Sequence, residues 1–160
     1  MRKSLIMMAY VLCFSLVAGV MVLKVPSIAF GIGVTVDIHP ETLNLESNGK
    51  WITAYIELPE GYEVSDIDIS TVFLENVIPA ESDPKYGFVK DSEIRDRDNN
   101  GIRELMVKFD RQAVIDYILA NLYHMAPPPA KNYVELTITC ELFDGTSFEG
   151  SDTIRVIYKG

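Results

Sequence analysis

The chain has 160 residues, with 23 acidic against 14 basic side chains, a formal net charge of −9, 48% hydrophobic residues and two cysteines. One ordinary domain fits this length, whereas a barrel enzyme or a two-domain dehydrogenase does not. The acidic balance argues against nucleic acid or an anionic membrane surface as a partner.

The first 29 residues stand apart from the rest. Arg2 and Lys3 precede a run from Leu5 to Leu23 that is apolar but for Ser and Gly, and Ser27 and Ala29 follow at the small-residue positions read by a signal peptidase. This pattern predicts export, with cleavage between Ala29 and Phe30. The alternative is a retained anchor, because the run of 19 residues comes close to the roughly 20 that span a bilayer. Cys13 lies inside the run behind Leu12, which argues against a lipoprotein. Cleavage removes three basic residues and no acid, leaving 11 basic against 23 acidic side chains, a charge of −12 over residues 30–160. Cys140 alone remains, so no internal disulfide holds the domain; its core or a bound ion must, and at this size a core alone is sufficient.

Residues 30–160 read as a string of strands. Val34 to Ile38 alternates and ends at Pro40. Trp51 to Leu58 is the clearest case, with Ile52, Ala54, Ile56 and Leu58 on one face and Trp51, Thr53, Tyr55 and Glu57 on the other. Asn48-Gly49 and Pro59-Glu60-Gly61 supply turns at its ends. Ile67 to Leu74 is extended or briefly helical, and Val77-Ile78-Pro79 ends that region. Leu105, Val107 and Phe109 alternate with Met106 and Lys108. Val134 to Leu142 alternates over its whole length, and Asp144-Gly145 turns it into a returning strand.

One segment departs from this pattern. Asp110 is a candidate N-cap, and Ile115, Ile118, Leu119 and Leu122 share a helical face, predicting one helix over Arg111–Tyr123. Pro127 to Pro129 then forces an extended linker. The expected fold is mainly β, an immunoglobulin-like β-sandwich with one packed helix, forming a single domain over residues 30–160.

Residues 96–104 carry the only pattern with specific chemistry. Asp96, Asp98 and Asn100 take positions one, three and five of a calcium loop, and Gly101 takes the sharp turn at six. Ile102 offers its carbonyl at seven, and Glu104 its carboxylate at nine. Calcium suits hard oxygen ligands of this kind, so a structural Ca2+ is the expected cofactor. Val107 stands at position twelve, where a complete EF-hand has a bidentate Glu. Asp91 and Glu93 are candidates to complete the shell. The competing reading is a solvated acidic turn, neutralised by Arg95, Arg97 and Arg103 through surface pairs worth ~0–1 kcal/mol each.

Other chemistry is sparse. His39 and His124 have no neighbouring Cys or His to suggest zinc. No nucleophile elbow, phosphate-binding loop or metalloprotease motif occurs, and no two carboxylates are spaced as acid and nucleophile. Cys140 falls on an apolar face and reads as a buried, inert thiol. Trp51, Tyr55 and Tyr62 offer an aromatic platform for a sugar, against the plainer expectation that this face packs under the helix or the other sheet. The expectation is therefore a protein without catalytic residues.

Two resemblances attach to these residues. Asp96 to Glu104 resembles the short Asp-x-Asp-x-Asp-Gly calcium loops of dockerins and integrin-type propeller repeats, with Asn100 where such loops often carry Asp. The run Val36-Asp37-Ile38-His39-Pro40 through Leu43-Asn44-Leu45 to Trp51–Pro59 looks like an immunoglobulin-like module recurring in secreted and surface proteins of prokaryotes. The likeness continues through Asp68–Val72, Leu105–Asp110 and Phe148–Asp152. It implies a non-catalytic, immunoglobulin-like surface domain, and with the leader and the loop the leading expectation is an exported module with a structural ion, mediating cell-surface protein or glycan interaction. Two alternatives stand beside it: an envelope structural protein anchored by residues 5–23, and a small carboxylate-dependent hydrolase.

Overall fold

A computed structural model describes residues 32–86, 94–122 and 133–158. The leader with its cleavage point, Asp91, Glu93, His124 and the Pro127–Pro129 linker lie outside these residues. In chain order the elements are β1 (Ile32–Gly33), β2 (Thr35–His39), β3 (Thr42–Asn44), β4 (Trp51–Glu57), β5 (Ile67–Leu74), β6 (Ile78–Pro79), β7 (Ile94–Arg95), β8 (Glu104–Asp110), α1 (Arg111–Tyr117), β9 (Tyr133–Leu142) and β10 (Ser147–Ile157). The described chain is mainly β, with two sheets and a single α-helix.

The first sheet runs β1-β10-β9-β5-β6, with β3 also on β10, and the second runs β2-β4-β8-β7. Alternation does what the strand period requires. Ile52, Ala54 and Ile56 of β4, Leu105, Val107 and Phe109 of β8, and Leu136, Ile138 and Cys140 of β9 are all buried. Side chains from both sheets join one apolar cluster, together with Val114, Ile115 and Ile118. Burying a side chain such as Phe109 contributes about 1.5–3 kcal/mol, and truncating it to Ala costs about 3–5 kcal/mol.

The N-terminal part of the chain stitches the sheets together. β1 pairs parallel with the start of β10, Ile32 opposite Phe148. The chain then crosses to the second sheet as β2, antiparallel to β4, and returns as β3, parallel to β10 at Arg155–Ile157. A cis peptide joins His39 to Pro40 between the last two. At the crossing, the Ile38 N–H donates to Oδ2 of Asp152 at 2.7 Å, which satisfies an edge donor of β2. Gly150 of β10 passes so close to Val34 that an added Cβ would lie 2.5 Å from the Val34 carbonyl oxygen.

Several local features refine the sequence expectation, and the winding of the helix departs from it. Ile67–Leu74 is a strand, and its register against β9 shifts between Asp68 and Phe73. Glu75 and Asn76 both have positive φ, 55° and 59°, making a tight hairpin into β6 of the kind that matches strand twist. Asp110 caps α1 as expected, accepting from the Ala113 N–H at 2.9 Å. The helix is α only to Tyr117, and Ile118–Leu122 continues as a π-helical segment. Apolar spacings of three and four residues serve both windings, so the sequence pattern does not distinguish them.

Candidate metal centre

The centre is built where β4 ends and β8 begins. The two strands are antiparallel with Glu57 directly opposite Glu104, an arrangement of like charges that ordinarily destabilises a sheet. β7 and β8 form the hairpin beneath the 96–103 loop, with Arg95 opposite Glu104.

The loop winds around its own acidic side chains. Asp96 Oδ1 accepts from the Asn100 N–H at 3.1 Å, and Asp96 Oδ2 from the Gly101 N–H at 3.0 Å. Asp98 Oδ1 accepts from the same Asn100 N–H at 3.1 Å, and Asn100 Oδ1 accepts from the Ile102 N–H at 2.7 Å. Asn99 and Gly101 adopt left-handed backbone, φ 59° and 90°, which explains a glycine at the sixth position. This winding turns Asp98 back toward the strands.

As a result, one carboxylate oxygen each from Glu57, Asp98 and Glu104 lie within 4.8 Å of one another. The Asn100 Nδ2 donates to Glu57 Oε1 at 3.0 Å and to Asp98 Oδ2 at 3.1 Å. Glu104 is 4% exposed, and its Oε2 accepts from the Arg97 N–H at 3.1 Å. Burial pushes the Glu104 carboxyl above its ordinary value. Arg97 opposes that shift through its N–H and its charge, while Glu57 and Asp98 add to it. Three carboxylates this close repel one another, and a hard divalent cation is the chemistry that relieves both the repulsion and the burial.

The residues named from sequence are therefore distributed unevenly. Asp98 and Glu104 meet at the cluster. Asp96 spends both oxygens on backbone N–H groups, Asn100 meets the cluster through its nitrogen, and the Ile102 side chain is exposed. Glu57 was missed by sequence reasoning because it lies in a different strand. The signal that finds it is the pairing of β4 with β8, which places it on the outer face beside Glu104.

Arg97 covers this outer face. Its guanidinium lies 3.9 Å from the Tyr55 ring centroid, bonds Asp37, reaches His39 Nε2 at 3.1 Å and stands 3.8 Å from Glu104 Oε2. His39 also meets the Tyr55 ring edge-on at 5.8 Å. At the far end of β4, Lys50 Nζ lies 4.8 Å from the Trp51 centroid and 3.8 Å from that of Tyr86. Cations thus cover Trp51 and Tyr55, two of the three rings that sequence offered as a sugar platform. Tyr62 sits apart, edge-on to Phe148 at 5.0 Å, in a groove of about 420 Å³ shared with Gly101, Ile102 and Arg103.

Cys140 is buried, and burial, with Glu141 adding, pushes its thiol up to about 11. No known protein family matches the chain, and no curated protein does. Among the described residues, no helix is long and apolar enough to cross a membrane.

Proposed function

We propose that the chain is an exported, non-catalytic, immunoglobulin-like β-sandwich module that holds a structural Ca2+ at the 96–104 loop and mediates cell-surface protein or glycan interaction. The observation that carries the ion is the meeting of Glu57, Asp98 and Glu104 within 4.8 Å around a carboxyl that burial makes costly to ionise. Glu57, Asp98 and Glu104 would hold the cation, and Asp96, Asn100 and the carbonyl of Ile102 would join them only if the loop released the bonds that Asp96 and Asn100 make in this winding. Calcium supplies charge compensation there and fixes the loop against β4, and it does no chemistry on a substrate. Export rests on the Arg2–Ala29 leader pattern, and the fold reading on the two sheets with a shared core.

Thermal melts of the purified chain in calcium and in chelator test this reading. Binding to the folded state alone raises stability by ~2.7 kcal/mol at a hundredfold excess over Kd. A calcium-specific upward shift supports the site, and no shift at millimolar calcium (roughly the extracellular range) reduces residues 96–104 to an acidic turn.

A second reading keeps residues 5–23 as a membrane anchor for an envelope structural protein. It rests on the length of the apolar run Leu5–Leu23, which comes close to a bilayer span. N-terminal sequencing separates the two, since a start at Phe30 supports cleavage and an intact leader in the membrane fraction supports the anchor.

A further inference from the structure

A groove of about 470 Å³ opens on the outer face of the first sheet, where β5, β9 and β10 run side by side. Strand period sets which side chains stand there. Phe73 of β5 lies opposite Thr139 of β9, and Thr139 lies opposite Glu149 of β10. Glu141 and Ser147 form the next row on the same face. The positions between them, Val72, Leu74, Ile138, Cys140 and Phe148, are buried in the core. The half-buried Phe73 ring and its polar neighbours are therefore turned away from the other sheet.

One wall of the groove is a bulge. Residues 69–72 of β5 stand against Cys140 alone, because pairing leaves Asp68 opposite Glu141 and resumes with Phe73 opposite Thr139. Ser70 and Thr71, carried out of the ladder, line the groove. Thr71 Oγ1 holds the bulge by donating to the Asp68 carbonyl at 2.7 Å and accepting from the Glu141 N–H at 2.8 Å. Bulges of this kind re-aim side chains beside binding sites. Thr139 Oγ1 donates to Asn76 Oδ1 at 3.0 Å, which fixes the amide so that its nitrogen is the group left to donate. A wall held in this way lowers the ordering cost of binding.

The lining selects the ligand. Among the described residues no cation lies over the Phe73 ring, unlike those of Trp51, Tyr55 and Tyr86. Around Phe73 stand an amide, hydroxyls and the carboxylates of Glu141 and Glu149, and among the described residues no basic side chain lines the groove. A sugar ring has an apolar face that packs on an aromatic ring, and hydroxyls that donate to carboxylates and accept from an amide. A sugar acid is repelled, because the two carboxylates meet it without a counter-charge. An apolar peptide leaves those carboxylates desolvated and unpaired. We infer that this face of the first sheet binds a neutral oligosaccharide, with Phe73 stacking against a sugar ring and Asn76, Glu141 and Glu149 bonding its hydroxyls. It rests on the glycan branch of the proposed function, to which it gives a place and a ligand class.

Isothermal titration calorimetry of the full chain tests it with three neutral probes, cellohexaose, mannohexaose and xylohexaose, beside acidic hexagalacturonate and basic hexaglucosamine. The expected result is that a neutral probe binds more tightly than either charged one. Phe73→Leu keeps an apolar side chain and removes the ring, and is expected to weaken that binding about tenfold. Glu149→Gln is expected to weaken it as well, through loss of a charge-assisted bond. Because Glu149 is exposed, this variant carries the test where Phe73→Leu fails to fold. Tyr62→Ala, outside the groove, is expected to bind as the native chain does. Undiminished affinity in both Phe73→Leu and Glu149→Gln overturns the groove and leaves the glycan reading standing elsewhere on the chain. Tighter binding of a charged probe overturns the ligand class. Binding of none of the neutral probes overturns the groove and the glycan reading together, and leaves the calcium site untouched.

Discussion

The backbone N–H of Arg97 donates to Oε2 of Glu104 at 3.1 Å across seven positions of chain, so a buried carboxylate ties the start of the loop to the strand that follows it. The same Arg97 then lays its guanidinium over Tyr55 and bonds Asp37. One residue thereby links the loop to β2, β4 and β8, and the acids that approach one another do so on a braced outer face.

Glu104 is held partly by this brace and penalised by burial. A carboxyl whose folded pKa is raised binds its proton more tightly in the folded state. Its contribution is fully present below the unfolded value and is lost as pH rises through the raised folded value. Glu104→Gln keeps an acceptor for the Arg97 N–H and removes the charge. In chelator, the variant is expected to lose less stability than the native chain as pH rises above the ordinary glutamate value of about 4.3, and to melt higher at neutral pH. A melt series across that range checks it, and parallel curves for the two proteins refute it.

Asp98 is the one loop acid that winding delivers to Glu57 and Glu104. Asp98→Ala is expected to abolish the calcium-induced rise in melting temperature, a loss of ~2.7 kcal/mol at a hundredfold excess over the native Kd. An undiminished shift in this variant would sink the assignment of the site.

The crossing of β2 over β10 depends on Gly150. A methyl there meets the Val34 carbonyl oxygen at 2.5 Å and the Val34 and Val36 methyls at 2.7 Å, a backbone clash that no rotamer relieves. Gly150→Ala is expected to cost about 1–3 kcal/mol. Gly33→Ala is the control, since nothing lies within 4 Å of an added Cβ there. Urea denaturation of the two variants measures the difference, and equal midpoints would contradict the crowding at the crossing.

Cys140 is buried, with its thiol pushed up to about 11. Because the thiolate is the nucleophile, iodoacetamide at neutral pH is expected to leave it unmodified in the folded chain. Modification should begin only in denaturant, and mass spectrometry of the Cys140 peptide reads both states. Rapid labelling of the native protein would show that β9 opens locally.

Much of the fold could be read along the chain. Strict alternation in Trp51–Leu58 and Val134–Leu142 determined which side chains are buried, and Asp110 announced the start of the helix, because these signals depend on local period and local capping. The same is true of the loop, where Asp96, Asp98 and Gly101 declare their winding through bonds to nearby backbone. Short strands escaped notice: β3, β6 and β7 have no room for a period and exist because β10, β5 and β8 offer them hydrogen bonds.

Tertiary structure decided everything that depends on which strands are neighbours. Residue spacing points to Asp96 and Asn100 as readily as to Asp98, yet the pairing of β4 with β8 brings Glu57 beside Asp98 and Glu104. The crossing at Gly150 and the clamp of Arg97 likewise join residues far apart in the chain. A sequence states the preferences of each segment, and contacts between segments are set only when burial of one shared core selects their register.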